Sequence, residues 1–346
     1  MKKDKWLVIG QMKDLQTGVY IVNSLEEIGH ECKFVDSRAI VAEHGVHGGQ
    51  EHILKAIEEL NYVPTHIMVL KGLELSEPTI TAIKEKFEKA ILTNWFFDVQ
   101  IGGTDIWKNE QYLPVLKMYD YFFCSLEGVA DILRGNGFDN VYHVGEACYP
   151  QAHKEVYCNN FQKTKYGEDV AFVGSIGIDF HKDRLKYLSK IVKEGFNIKI
   201  WGEPVGEQKK IPSQVRSKMM GVPVINELHS VVCQNSLVNL GVDGRPDLER
   251  SMSARIYRIM CAGGLYLSTA TKGIEKDFKV NAKDKEVTAE QEAVVFYDEA
   301  DLVRKIDFLL EHESIRETIA KNGQKKVLAE HTFVHRLKDI IEVIKK

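Results

Sequence analysis

Arg255 and Arg258 stand three residues apart in Met252-Ser253-Ala254-Arg255-Ile256-Tyr257-Arg258-Ile259-Met260-Cys261-Ala262-Gly263-Gly264-Leu265. That spacing puts both guanidiniums on one face of a short amphipathic helix. A helix start offers free N–H groups to an anion, and nearby guanidiniums can grip its oxygens bidentately. The Gly263-Gly264 pair would let backbone come close to whatever the arginines hold. The plain alternative is a surface helix with two solvated arginines and a glycine C-cap. The stretch alone does not choose between these readings; the rest of the chain tips the balance toward anion binding.

Similar chemistry recurs where apolar strands end. Gly174-Ser175 closes the strand 169–174, and His181, Lys182 and Arg184 follow it into the first turn of a helix. A backbone turn and hydroxyl there, with cations behind them, suit phosphate oxygens. Trp201-Gly202 ends the next strand; Trp201 either flanks a nucleotide base or sits in the core. Asn239 and Gly241-Val242-Asp243-Gly244-Arg245 make a glycine-rich exit from another apolar strand, which suits a ligand-facing loop and equally a plain turn.

The first half carries groups suited to proton transfer. Asp98 follows Asn94-Trp95-Phe96-Phe97 at a strand end. Its carboxylate is a candidate base for an acceptor hydroxyl; the alternative is an N-cap or a loop ion pair. His44-Gly45-Val46-His47-Gly48-Gly49 reads as a glycine-rich loop before a helix over 49–60, and His47 is the second candidate base. Thr17-Gly18, at the start of the first helix, and Gly48-Gly49 are assigned to the acceptor side. No metal site is expected, because nothing near the histidines supplies further ligands.

These residues need a scaffold, and the periodicity predicts one. Short apolar strands alternate with amphipathic helices through residues 5–144, pause over a polar stretch at 150–168 that reads as a linker, and restart at 169. Unbroken apolar strands joined by helices predict parallel sheets covered on both faces, an α/β fold. Residues 1–150 are expected to form an N-terminal Rossmann-like domain and residues 169–330 a C-terminal one, with residues 331–346 a helix packing back on the first. Ligands are then expected in a cleft between the domains, at the carboxyl ends of the strands.

Composition bounds the function. At 346 residues the chain exceeds a single core. A net charge of −4 gives no global case for nucleic-acid binding. No apolar run reaches the roughly 20 residues that span a bilayer, and the opening apolar run is too short for a signal peptide. The six cysteines are scattered without a Cys-x-x-Cys pair, as expected for reduced thiols in the cytoplasm.

Taken in order, Val170-Ala171-Phe172-Val173-Gly174-Ser175, Trp201-Gly202, Asn235–Leu240, Arg255 through Gly263-Gly264, Phe278, Val294–Tyr297 and His331-Thr332-Phe333-x-x-Arg336 resemble glycosyltransferases of the GT-B fold. Within them the pattern looks most like the group related to the spore maturation protein CgeB. The resemblance covers residues 169–340 well. The first half adds Trp95-x-x-Asp98 and the strand–helix over 119–137. It implies two Rossmann-like domains, residues 1–150 as the acceptor-side domain and 169–330 as the nucleotide-sugar-binding domain, and transfer of a sugar from a nucleotide sugar, such as a UDP-sugar, to a hydroxyl, with no metal or other cofactor. Gly174, Ser175, Arg184, Trp201, Gly202, Asn239, Arg255, Tyr257, Arg258, Gly263 and Gly264 would then bind the donor. The family helix commonly reads Arg-x-Phe-Glu, its glutamate holding the ribose hydroxyls; here that slot is Arg258, which accepts no hydrogen bond. Glu249 or Asp247, just upstream, would have to substitute, or the donor differs.

Two other readings stay open. One is a phage-type enzyme that glycosylates a hydroxymethylated base in DNA, with Lys108, Lys163, Lys165, Lys209, Lys210, Arg216 and Lys218 on its phosphate-binding surface. The other is a non-catalytic nucleotide-sugar-binding protein with a degenerate site.

Overall fold

The computed structural model describes residues 3–346 except 13–15, 178–181, 206–209, 244, 246 and 247. His181, Lys209, Gly244 and Asp247, named above, lie outside the described residues, as does the side chain of Lys182. The chain divides into two compact units, Met1–Glu146 with Phe333–Lys346, and Ala147–Thr332.

Unit 1 begins with β1 (Lys5–Gly10), α1 (Thr17–Glu27), β2 (Glu31–Asp36), α2 (Ser37–Glu59), β3 (His66–Leu70), α3 (Glu77–Lys86) and β4 (Ile91–Phe96). A small hairpin of β5 (Gln100–Ile101) and β6 (Thr104–Asp105) leads into α4 (Leu113–Leu116), β7 (Tyr121–Cys124), α5 (Glu127–Gly135) and β8 (Val141–His143). Among the described residues, six strands form a parallel sheet in the order β2-β1-β3-β4-β7-β8. Trp6, Leu7, Val8 and Ile9 are at most 1% exposed, so β1 is buried on both faces, which is why it reads as an unbroken apolar run. α1 buries Tyr20, Ile21 and Leu25 and ends at Gly29, whose φ of +97° lets the His30 N–H return to the Leu25 carbonyl.

The segment 44–49 corrects the expectation of a loop. α2 starts at Ser37, capped by Asp36, and runs through it; within the segment only Gly45, at φ 75° and ψ 170°, leaves helical geometry. Gly48 and Gly49 continue the helix. A Cβ on Gly49 would stand 2.7 Å from Val41 Cγ2, so this glycine serves the packing of the kink.

Unit 2 opens with α6 (Pro150–His153) and α7 (Asn160–Tyr166), so the stretch read as a linker contains two short helices. Asn159 and Gln162 form a capping box that starts α7. Then come β9 (Val170–Val173), β10 (Ile176–Gly177), α8 (Lys182–Lys193), β11 (Ile198–Trp201), β12 (Pro204–Val205), α9 (Ser213–Arg216), α10 (Asn226–Asn235), β13 (Val238–Gly241) and α11 (Ala254–Cys261). The unit closes with β14 (Tyr266–Thr269), α12 (Lys272–Asp277), β15 (Val294–Phe296), α13 (Glu299–Glu311) and α14 (Glu313–Glu330). Its parallel sheet has the order β11-β9-β13-β14-β15. Phe172, Ile200, Leu240, Leu267 and Phe296 from the strands bury against Leu188, Leu302 and Ile306 from the helices. The last helix, α15 (Phe333–Lys345), belongs to unit 1, where Phe333 lies against Tyr20 and Trp95.

Both sheets share a topological feature. In unit 1 the strand order reverses between β1 and β3; in unit 2 it reverses between β9 and β13. Helices on the two sides of a reversal lie on opposite faces, which leaves a crevice beyond the carboxyl ends of those strands.

Candidate functional site

At the β9/β13 reversal, β9 ends in Val173 and the chain turns through Gly174-Ser175. Arg255 reaches this edge from the start of α11. Its Nε donates to the Val173 carbonyl at 2.8 Å, its guanidinium lies over the Phe172 ring at 5.3 Å, and its Nη1 stands 3.8 Å from Asp243 Oδ1. Gly174 is needed for this approach, since a Cβ there would meet Arg255 Nη2 at 2.7 Å. Arg184 comes from α8. Its Nη1 donates to the Ser175 carbonyl at 3.0 Å and to Ser175 Oγ at 3.3 Å, and its Nε to the Val242 carbonyl at 3.4 Å. Gly202, at the end of β11, has φ +138°, and a Cβ on it would stand 2.4 Å from the Gly174 carbonyl oxygen.

Asp243, only 5% exposed, is the carboxylate among these cations. Tyr266 donates its hydroxyl to Asp243 Oδ2 at 3.4 Å, and the Asp243 N–H donates to Thr269 Oγ1 at 3.1 Å. Burial, and then the positive charge of Arg255, push the Arg184 guanidinium down to about 10, with Asp243 opposing. It stays protonated at neutral pH. Among the described residues two cations face one carboxylate at this edge, an arrangement that an anionic ligand would complement.

One turn along α11, the charge of Arg258 bears on His153 and His229. Burial first, and Arg258 second, hold these rings neutral, at about 2 for His153 and about 3 for His229. His153 Nδ1 accepts the Tyr149 N–H at 3.1 Å. Of the two acids considered as ribose ligands, Glu249 is paired to Lys272 at 3.1 Å.

Several residues expected at the donor also carry structural duties. Gly263, at φ +77°, and Gly264 return their N–H groups to Met260 and Ile259, a Schellman cap. They stand at the end of α11 opposite to Arg255. Trp201 is 2% exposed and packs with Ala171, Val224 and Val232. Tyr257 is equally buried against Phe278 and His331. Asn239 gives its amide to the Cys233 and Leu265 carbonyls.

Unit 1 has a cavity of about 340 Å³ at its β1/β3 reversal. Thr17 and Gly18 line it at the start of α1, and Asp98 lines it after β4. A Cβ on Gly18 would stand 2.3 Å from the Gln11 carbonyl, so only glycine allows this approach. Lys71, Glu74 and Arg38 also line it, and sequence reasoning missed them. Lys71 Nζ pairs with Asp98 Oδ2 at 2.6 Å, Ser37 Oγ donates to Glu74 Oε1 at 2.5 Å, and Arg38 Nη1 donates to Gln11 Oε1 at 2.9 Å. His47, Gly48 and Gly49 do not line this cavity; His47 is exposed on α2. Among the described residues no three His, Cys, Asp or Glu side chains are grouped to hold a metal ion, and no helix is long and apolar enough to cross a membrane.

Comparison with known proteins adds a family match over part of the chain, and a fold. Residues 184–342 match the family model described as glycosyl transferase-like, a span that contains Arg184, Asp243 and Arg255. No curated protein matches the chain. Among solved structures the chain is similar to Anabaena Alr3699/HepE in complex with UDP, at 10% identity, 99% coverage of each chain and a TM-score of 0.61. It is similar to HepE with UDP and glucose at 11% identity, covering 99% of this chain and 100% of that one, with a TM-score of 0.63. The catalytic domain of Arabidopsis thaliana Starch Synthase IV, bound to ADP and acarbose, matches at 8% identity over 93% of this chain and 95% of that one, with a TM-score of 0.65. The chain thus has the GT-B fold, two α/β units each built on a parallel sheet, and its residues 184–342 match the glycosyl transferase-like family.

Proposed function

We propose that the chain is a glycosyltransferase that moves a sugar from a nucleotide sugar, such as a UDP-sugar, to a hydroxyl acceptor. The observation that carries this reading is the convergence of Arg184 and Arg255 on the Val173–Ser175 edge, with Asp243 as their carboxylate. The solved complexes of HepE hold UDP, or UDP and glucose, which supports a nucleoside diphosphate as the anion.

In the reaction, the acceptor oxygen forms a bond to the anomeric carbon. The bond from that carbon to the diphosphate oxygen breaks, and the nucleoside diphosphate leaves with the electron pair. Arg184 and Arg255 offset the charge that develops on the leaving diphosphate, the task a metal ion performs elsewhere, so the proposed reaction needs no metal. In an inverting transfer Asp98 takes the acceptor proton. In a retaining transfer the leaving phosphate takes it. We assign the chain to the CgeB-related subgroup, supported by the order of its motifs, and the reaction to the cytoplasm, supported by six free cysteines.

A melting screen with UDP-, ADP- and GDP-sugars tests the reading, because a bound donor stabilises by mass action. At least one donor should raise the melting temperature and be turned over to the free nucleoside diphosphate. Stabilisation without any turnover, with or without acceptors, would favour a binding protein. The absence of both would remove the reading.

A further inference from the structure

Taking the glycosyltransferase reading as its basis, we infer that the Lys71 cavity of unit 1 binds a neutral saccharide of one or two sugar units as the acceptor. The cavity stands at the β1/β3 reversal, the place in such a sheet where a crevice opens. Its volume of about 340 Å³ is at the low end for small-ligand pockets. That admits one or two sugar rings.

The backbone beneath it is strained. Lys71 has φ +60°, which a non-glycine residue adopts at a cost of about 1 kcal/mol or more. Its neighbours over-determine it. The Lys71 carbonyl accepts from Asn94 Nδ2 at 3.1 Å and from the Tyr112 hydroxyl at 3.0 Å, while its N–H donates to the Trp95 carbonyl at 3.0 Å. Lys71 ends at Asp98 at 2.6 Å, and both line the cavity. Strain held in this way marks a site that needs a fixed geometry.

The lining chemistry names the ligand class. Glu74, Asp98 and Glu146 supply acceptors; Arg38 and the side-chain amide of Gln16 supply donors. A hydroxyl is both donor and acceptor, so a polyol can satisfy both sets at once. Phe97, with its ring centroid 4.9 Å from that of Trp95, lines the cavity and supplies aromatic surface against which a sugar ring can pack. Among the described lining residues three carboxylates stand against two cations, a balance that disfavours a phosphodiester chain or a sugar phosphate.

Calorimetry on the full chain, with UDP at saturation, tests the inference. The probes are the methyl glycosides of glucose, galactose, mannose and N-acetylglucosamine, then maltose and lactose, with glucose 6-phosphate and a duplex oligonucleotide as competitors. At least one neutral glycoside should bind saturably. Glu74→Gln and Phe97→Ala should each weaken it by about tenfold, the loss expected for one charged hydrogen bond or one aromatic contact, with UDP affinity unchanged. Glu74→Gln is close to isosteric, so a fold defect in Phe97→Ala leaves the test standing. UDP binding without any neutral glycoside, glycoside binding indifferent to both variants, or tighter binding of the phosphate or the duplex would overturn the inference. Failure of the wild-type chain to bind UDP, ADP or GDP, measured first, would count against the glycosyltransferase reading instead; where ADP or GDP is the one that binds, it replaces UDP in these titrations.

Discussion

Arg255 Nε donates to the carbonyl of Val173 at 2.8 Å, tying the start of α11 to the last residue of β9. Arg184 makes the matching contact from α8, to the carbonyl of Ser175 two residues on. Two helices distant in sequence thus deliver cations to one stretch of backbone at the carboxyl edge of the unit 2 sheet. Asp243, at the end of the neighbouring strand, offsets one of them.

Asp243 should therefore matter to stability as well as to binding. Asp243→Asn leaves two partly buried guanidiniums without their carboxylate, a loss of about 2 kcal/mol given the long 3.8 Å separation. The melting temperature should fall by several degrees. UDP should raise it by more in the variant than in wild type, because phosphate replaces the missing charge. An unchanged melting temperature would show that the arginines do not depend on this carboxylate.

Gly202 supports the same edge without touching a ligand. Gly202→Ala places a Cβ 2.4 Å from the Gly174 carbonyl at a φ that L-residues avoid, so the Gly174 turn must move. Nucleotide affinity should drop about tenfold, near 1.4 kcal/mol, although both arginines remain. Wild-type affinity in this variant would mean that the turn lies outside the binding surface.

The neutral histidines of unit 2 predict an acid-side instability. His153 and His229 sit at about 2 and about 3, below the ordinary 6.5 that the unfolded chain recovers. Below pH 6.5 the unfolded state binds more protons, so stability falls as pH drops, by about 1.4 kcal/mol per pH unit for each ring. His153→Asn keeps an acceptor for the Tyr149 N–H and removes one of the two. Its melting temperature should decline less steeply between about pH 6 and pH 5 than that of wild type. Parallel declines would show that His153 is not held neutral.

The two halves of this protein were unequally legible in the amino-acid sequence. The parallel sheets were plain, because strands such as Trp6–Ile9, buried on both faces, leave unbroken apolar runs. That Gly174, Ser175, Arg184 and Arg255 share one edge could be anticipated, because each stands at a strand end or early in the following helix. The capping role of Gly263-Gly264 could not be singled out, since a Schellman cap and a ligand-facing glycine pair look alike in one dimension. The 44–49 segment misled for a related reason: one glycine at positive φ breaks the helix while its two neighbours do not. Lys71 and Glu74 were invisible because strain at Lys71 and the Ser37 contact to Glu74 arise only from tertiary packing.

The acceptor side predicts a contrast between two candidate bases. Asp98 lines the unit 1 cavity beside Lys71, whereas His47 is exposed on α2 and does not line it. Asp98→Asn should reduce transfer at saturating donor by roughly 10²–10⁴-fold in an inverting reaction. The loss in His47→Ala should be at least tenfold smaller. Equal turnover in wild type and Asp98→Asn would point to a retaining route in which the leaving phosphate accepts the proton.

The most direct test of the central claim is calorimetric titration of UDP, ADP and GDP into wild type and Arg255→Gln. One nucleoside diphosphate should bind wild type with a stoichiometry of one. Arg255→Gln should weaken it by roughly 1.5–3 kcal/mol, the range for a hydrogen bond to a charged group. Failure of all three to bind wild type, or equal affinity in a folded Arg255→Gln variant, would contradict the assignment of the Val173–Ser175 edge as the donor site.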